Sequence, residues 1–529
     1  MTVPGGPAAS AVVPAASDGP VAADVAPVAA DGQWHRVHPL TPVIRSWQLL
    51  AVALVYVVQD VGQHSLGDDG DGGFLTALGS LRGRQLLIGT LIGLGVFAAV
   101  AALAYLSWRL TRYRVTHEAL ELEHGVLSRR QRKAPLDRLQ AVDIVQPLLA
   151  RIVGLARLTL EVAGGGDSRI VLAYVTETQA RRLRNHLLAS AAGVRYESPE
   201  APEAPEHVVF SVPLRRLVGA LALSGGTIWL GVVAIGLVGG SIASGHLGFA
   251  AGALPAVIGG GGALWRRFST NFGFRVAAAP DGLRVQHGLL EQTAQTVPPG
   301  RVQAVRISQP LLWRPGGWWR VQANVAGYGS HEHGQRALEA GLLLPVGTRD
   351  EAVAVLSFVL PDLGVTDAEH PGPVVDGGLT GTLADGGFTA SPRRSRWVDP
   401  VGWRRNGYRM TGTALLLRRG VLHRRLDIVP HARTQSCGVR QGPLQRRLRV
   451  ASFARHSTPG PLAPFVAHLD SAVVADLLAE QVERARAARR TDASERWMER
   501  REPSAAPGHV LDEPAEPAER PGVEQLGDR

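Results

Sequence analysis

Residues 138–149 read Arg-Leu-Gln-Ala-Val-Asp-Ile-Val-Gln-Pro-Leu-Leu, and residues 301–312 read Arg-Val-Gln-Ala-Val-Arg-Ile-Ser-Gln-Pro-Leu-Leu. Nine of the twelve positions agree. A chain that repeats so long a phrase contains a copied domain, and its fold is then a multiple of one unit. The spacing is too long for a solenoid. A third, more divergent copy keeps the same offsets. Gly125-Val-Leu, Gly288-Leu-Leu and Gly420-Val-Leu are each followed ten residues after the glycine by Pro135, Pro298 and Pro430. Arg138, Arg301 and Arg433 stand three residues further on, then Gln140, Gln303 and Gln435, then a second glutamine at Gln146, Gln309 and Gln441. The copies open at Tyr113-Arg-Val, Phe274-Arg-Val and Tyr408-Arg-Met.

Within a copy the pattern alternates with period two. Ala119-Leu-Glu-Leu-Glu-His reads as a half-buried strand, Gly125 supplies a turn, and the chain runs back from Val126 as a hairpin. Arg157-Leu-Thr-Leu-Glu-Val and Arg169-Ile-Val-Leu-Ala are further strands around a turn at Gly164-Gly-Gly. Helices then close the copies at about 176–188, 348–359 and 470–487, the first with Thr176 as N-cap. Several short strands and one terminal helix predict a small barrel or sandwich plugged at one end.

Between these units lie apolar runs at 43–61, 86–108, 217–242 and 247–265. A bilayer core about 30 Å thick needs roughly 20 apolar residues per helix. The last three runs contain no Asp, Glu, Lys or Arg; Arg45 and Asp60 mark the ends of the first. That speaks against an ion pump or carrier, which needs buried ionisable groups. Arginine flanks the runs: Arg36 and Arg45 before the first, Arg109, Arg112 and Arg114 after the second, Arg215 and Arg216 before the third, Arg266 and Arg267 after the fourth. The loop at 62–85 holds Asp68, Asp69 and Asp71, diluted by Arg82 and Arg84. The positive-inside rule then sets both termini and every large soluble segment in the cytoplasm of an inner-membrane, multi-pass protein. The net charge of +10 is explained by topology and lipid attraction, and no nucleic acid is required. Cys437 is the only cysteine, so no disulfide forms within the chain.

The expected organisation follows. Residues 1–32 are a disordered tail, 43–108 a first transmembrane hairpin, 109–192 the first domain and 193–213 a linker. A second hairpin spans 214–265, with the second domain at 266–363. Residues 364–396 are a Gly/Pro-rich linker, 397–490 the third domain and 491–529 a disordered tail. The fold class is a membrane protein of α+β type.

The segments Tyr113-Arg-Val-Thr, Glu121-Leu-Glu-His-Gly-Val-Leu, Pro135-Leu-Asp-Arg-Leu-Gln and Gln146-Pro-Leu-Leu-Ala-Arg-Ile-Val-Gly-Leu resemble the bacterial pleckstrin-homology domain of the YdbS/YdbT membrane proteins. Trp34-His-Arg-Val-His-Pro-Leu-Thr-Pro is similar to the same family. Copy two departs at Trp313-Arg-Pro-Gly-Gly-Trp-Trp, and copy three at Arg446-Arg-Leu-Arg and Arg455-His-Ser-Thr. The resemblance covers residues 33–490. It implies PH-like split barrels, each closed by a helix, no enzyme activity and no cofactor. It also implies a partner that is a smaller PH-domain membrane protein, or self-association, and links the family with envelope stress and antimicrobial-peptide resistance.

The densest cationic stretch is Ser128-Arg-Arg-Gln-Arg-Lys. Arg129, Arg130, Arg132 and Lys133 are candidates to meet anionic headgroups or a partner, against the plainer reading of a charged edge that blocks strand pairing. The repeated Arg138, Arg301 and Arg433, with Gln140, Gln303 and Gln435, read as structural, pinning loops through carbonyls. His331-Glu-His333 lacks an evident third metal ligand. No nucleophile elbow, zinc-protease motif or phosphate loop is present. The expected function is a non-enzymatic membrane scaffold presenting PH-like domains; the alternative is an anionic-lipid sensor or lipid-handling protein.

Overall fold

The structure is a computed structural model. It describes residues 32–42, most of 95–125, 129–162, 169–191, 207–245, 248–279, 282–297, 299–326, 341–365, 371–456 and 460–491. The first predicted hairpin lies largely outside these residues, as do the tails, Gly164-Gly-Gly and His331-Glu-His333. The chain falls into two compact units, 1–203 and 204–529.

In the first unit, β1 (His35–Arg36), β2 (Arg112–Val115), β3 (Ala119–His124) and β4 (Arg130–Pro135) form an antiparallel sheet in that order. A meander of β5 (Leu139–Pro147), β6 (Leu155–Val162) and β7 (Arg169–Thr176) follows. Helix α1 (Glu177–Ala191) closes the unit. Thr176 caps it by accepting from the Gln179 amide. Leu120 and Leu122 on β3 and Leu158 and Leu160 on β6 are buried at alternate positions, and α1 buries Leu183 and Leu187 one turn apart.

The second unit repeats this plan twice. Strand β8 (His207–Ser211) precedes three helices: α2 (Leu214–Ala222), α3 (Gly225–Ser244) and α4 (Gly248–Asn271). Strands β9 (Arg275–Ala279), β10 (Gly282–His287) and β11 (Glu291–Val297) pair on from β8 in the order β8-β9-β10-β11. The meander β12 (Val302–Pro310), β13 (Trp319–Val325) and β14 (Leu342–Gly347) leads into α5 (Arg349–Val359), which starts with a Thr348–Glu351 capping box. After α6 (Pro371–Leu379) comes the third copy. Its first sheet is β15 (Thr389–Ala390), β16 (Gly407–Met410), β17 (Ala414–Arg419) and β18 (His423–Pro430). Its second is β19 (Ser436–Arg440), β20 (Val450–His456) and β21 (Phe465–Asp470), closed by α7 (Ser471–Thr491).

The structural repeat therefore begins earlier than the sequence motif. A strand lies upstream of each copy (β1, β8, β15) and pairs with its first motif strand. In copies two and three the next residue repeats one bond: the Val212 amide donates to the Phe274 carbonyl, and the Ser391 amide to the Asn406 carbonyl, each at 2.9 Å. A proline follows in each case, at Pro213 and Pro392, and opens a short helix.

Two expectations change. The run at 217–242 is not one helix. Ser224 ends α2 and caps α3, its hydroxyl accepting from the Thr227 amide. The apolar helix is Gly225–Ser244, and α4 extends past 265 through Arg266 and Arg267 to Asn271. Twenty residues at 1.5 Å each give α3 a length of about 30 Å. Among the described residues it is the one helix long and apolar enough to cross a bilayer, and none of it is buried. The stretch 364–396, read as a linker from its Gly and Pro content, carries α6 and β15. Its glycines serve close packing: a side chain at Gly378 would strike Leu426, and one at Gly377 the backbone of Gly386. Two fully buried arginines satisfy its carbonyls. Arg405 donates to Gly378, Leu379 and Gly381, and Arg418 to Gly377 and Leu383.

Candidate functional site

A feature with functional consequence is the way copies two and three join. β12 pairs antiparallel with β18, from Val305 opposite Ile428 to Pro310 opposite His423. The second sheet of one copy thus continues into the first sheet of the next, seven strands in the order β14-β13-β12-β18-β17-β16-β15. Leu426 and Ile428 are fully buried, as are Val305 and Ile307 opposite them. Asp427, also fully buried, accepts from Arg306 through Nε at 2.5 Å and Nη2 at 2.9 Å. Asn324 and Leu462 clasp each other, amide to carbonyl and carbonyl to amide, both at 2.9 Å. Arg455 donates to the Gln303 carbonyl at 3.2 Å, and Arg433 to the Gly300 carbonyl at 2.6 Å. Burial pushes Arg455 down to about 9, the cost of a guanidinium satisfied without a carboxylate.

Among the described residues, β4 ends the first copy's four-stranded sheet and β19 ends the third copy's meander. β4 is the counterpart of β18, and β19 that of β12. The chain therefore presents one strand edge of each type that the internal junction uses.

The predicted cationic residues all lie on or beside β4. Arg129 and Arg130 are exposed, and Arg132 is half-buried opposite Leu122. Lys133 turns to the other face and pairs with the buried Glu121 at 2.6 Å, where Arg114 also binds at 2.5 Å. The Lys133 ammonium, together with Arg114, holds the Glu121 carboxyl below its ordinary value against the opposing effect of burial. Lys133 is thus partly committed to the fold, whereas Arg129 and Arg130 face outward.

The repeated arginines share one placement. Arg138, Arg301 and Arg433 each end a one-turn 3-10 helix that follows the repeated proline. Arg138 is exposed and Arg301 half-buried. The Gln303 amide reaches the Arg301 carbonyl at 3.4 Å and Gln435 is exposed, while the side chain of Gln140 lies outside the described residues. The second glutamine is a tie as well: Gln309 accepts from Arg424 at 3.2 Å, and Gln441 donates to the Val450 carbonyl at 3.1 Å. Cys437 is half-buried on β19, its thiol pushed up by burial.

The motif reading missed Arg306, Asp427 and Arg455, because none recurs at its offset in the other copies. Asp427 was the available signal: it is the one acid in His423-Arg-Arg-Leu-Asp-Ile-Val-Pro.

Four strands, three strands and a closing helix, given three times over, define a chain of pleckstrin-homology-like modules. The chain belongs to the bacterial PH domain family, whose model matches residues 68–191, 217–360 and 390–488. It is similar to the UPF0699 transmembrane protein YdbT of Bacillus subtilis (strain 168), at 24% identity over 307 residues. That match covers 51% of this chain and 60% of the relative, less than two thirds of its length.

Proposed function

We propose that the protein is a non-enzymatic, multi-pass membrane scaffold with four spans. Its termini and PH-like domains face the cytoplasm, and it docks a partner by strand addition at β4. The β12–β18 pairing carries this reading: one PH-like module already extends another by edge-to-edge pairing, so an open edge of the same kind is a template for a further module. The exposed apolar α3, the arginines that bracket the predicted spans and the transmembrane relative support the membrane placement.

Charge favours a different chain over a second copy. In the junction Ser308 faces Arg425 and Arg306 faces Asp427. By motif offset, Arg440 and Gly438 of β19 stand at the positions of Ser308 and Arg306, and Arg130 and Arg132 of β4 at those of Arg425 and Asp427. Copy-to-copy pairing would set Arg440 against Arg130 with no acid between them, an unfavourable cross-strand pair. The occupant of β4 is the leading meander strand of a smaller PH-domain membrane protein, with an acidic residue opposite Arg130 or Arg132. The process served, on the family resemblance, is envelope stress or antimicrobial-peptide resistance.

The test is the mass of the detergent-extracted native complex, with the chain wild type or carrying Arg129→Glu and Arg130→Glu. The reading expects a hetero-complex that the double reversal dissociates. A complex of unchanged composition would sink it. The second reading, anionic-lipid sensing through Arg129 and Arg130, expects the same reversal to abolish a preference for anionic vesicles while the complex stays intact.

A further inference from the structure

The paired strands β12 and β18 carry more positive charge than Asp427, the one acid on either of them, balances. In the strand register Arg320 on β13 faces Ser308 on β12, Ser308 faces Arg425 on β18, and Arg425 faces Arg419 on β17. Directly paired residues project to the same face of a sheet, so these four side chains form a row across four strands. On that face the row is flanked by the Arg306–Asp427 pair one way and by Pro310 opposite His423 the other way.

Asp427 is already taken. Both its oxygens accept from Arg306, and Arg419 remains at 3.8 Å. Arg320 gives Nε to the Pro345 carbonyl at 3.3 Å and lies over the Trp313 ring at 5.0 Å. Arg419 lies over the Phe465 ring at 3.9 Å, and its buried Nε has no hydrogen-bond partner among the described residues. Arg419 stands opposite Arg425 in the ladder, a like-charge pair that a sheet ordinarily avoids. Desolvation, then the charges of Arg425, Arg320, Arg306 and Arg419, push the nearby His423 down to about 4. The site thus combines half-desolvated guanidinium forks, a buried hydroxyl at Ser308 and aromatic faces that hold two of the forks in place.

We propose that this row is a phosphate site, in which Arg320, Arg425 and Arg419 clamp the oxygens of one phosphate group and Ser308 donates its hydroxyl. The group is either that of an anionic phospholipid headgroup or that of a free phosphate. Trp313, against which Arg320 stacks, donates to the Ala220 carbonyl at 3.1 Å, and Arg320 is depressed by burial first and then by the charge of Arg267 near the end of α4. The row therefore opens beside the helices that lead into and out of α3. Only this nearness to a bilayer rests on the membrane placement argued above; the phosphate chemistry does not.

The test is hydrogen exchange on the full chain, following peptides that cover 305–310 and 423–428. One arm adds inorganic phosphate, with chloride at equal ionic strength as control. The other holds the chain in nanodiscs with or without phosphatidylglycerol. Protection by phosphate but not by chloride, or by phosphatidylglycerol but not by a zwitterionic lipid, supports the site. Phosphate acting in detergent and phosphatidylglycerol adding nothing identifies a soluble ligand and leaves this proposal standing without the membrane placement. The reverse identifies a headgroup. Arg425→Gln, whose wild-type side chain makes no ion pair or hydrogen bond recorded among the described residues, should weaken the response about tenfold or more. It should not lower ligand-free protection, since it relieves the like-charge pairing with Arg419, and this serves as the folding control. Arg320→Gln should weaken the response as well, while also loosening the ligand-free β13–β14 hairpin, because it loses the bond to the Pro345 carbonyl. No protection beyond chloride and zwitterionic lipid, or an undiminished response in Arg425→Gln, overturns the proposal.

Discussion

Asp427→Ala should part the second and third modules without unfolding either. Asp427 is fully buried, and the Arg306 side chain it binds is 11% exposed, so neither charge is well solvated if its partner is removed. Breaking a buried pair from one side costs about 3–5 kcal/mol, chiefly because the surviving charge is stranded. Arg306 would be stranded beside Arg425 and Arg419, which sets the expectation near the upper end. The partial exposure of Arg306 pulls it back, leaving about 3–4 kcal/mol. At about 1.4 kcal/mol per tenfold, exchange at the amides of Val305–Gln309 and Arg424–Ile428 should quicken by roughly 100- to 1,000-fold. Amides in α7 and in the β13–β14 hairpin should keep their protection. The double variant Arg306→Met with Asp427→Leu removes both charges and should restore most of the loss. If Asp427→Ala leaves these amides protected, or if the double variant is as labile as the single one, the pair does not hold the junction and the reasoning fails.

Three further outcomes follow from the same geometry. Gly420 has φ of +77°, and a Cβ there would run into the His423 carbonyl; Gly420→Ala should cost upwards of about 1–2 kcal/mol, read as lower thermal stability and faster exchange in the β17–β18 hairpin. Trp313→Phe removes the bond to the Ala220 carbonyl, and Gly219→Val places a side chain against Trp318; each should loosen α2 by about 1 kcal/mol or more, seen as new protease cleavage at 214–223. His431 is fully buried and bonded to Thr411 and Gln481. Burial holds it below its ordinary value, so the unfolded chain binds its proton more readily. Stability near 431–434 and along α7 should therefore be full above about pH 6.5 and decline as pH falls below it. Exchange corrected for its intrinsic pH dependence measures this, and an equal decline in His431→Gln would assign the effect elsewhere.

Much of the module was legible in the sequence because its signals are local. Alternation at Ala119-Leu-Glu-Leu-Glu-His and a capping threonine at Thr176 or Thr348 act within a few residues, and the elements form where these signals stand. The turn glycine is equally local: Gly125, Gly288 and Gly420 all have positive φ. What was not legible depends on partners distant in the chain. Composition made 364–396 a linker, yet its carbonyls are met by Arg405 and Arg418, and its glycines exist to let Leu426 and Gly386 approach. Hydropathy alone ran α2 into α3, since nothing in their apolar content distinguishes a helix seated on Trp318 from one with no buried residue.

The third module shows that the long segment between its first two strands can be missing. In copies one and two the chain leaves the sheet after β1 or β8 and returns at β2 or β9, from Arg36 to Arg112 and from Ser211 to Arg275. In copy three it leaves at Ala390 and returns at Gly407. The geometry at the departure point is unchanged, for the amide before the proline still bonds the residue ahead of the returning strand. The gap is closed by a turn in which Asp399 accepts from the Gly402 amide and the Asn406 side chain, at 2.7 and 2.8 Å. A segment inserted between two adjacent antiparallel strands requires only that its ends lie a strand spacing apart, about 5 Å. A short turn meets the same condition. The module is therefore indifferent to what joins its first two strands, and copy three is tied down by β12 and α6.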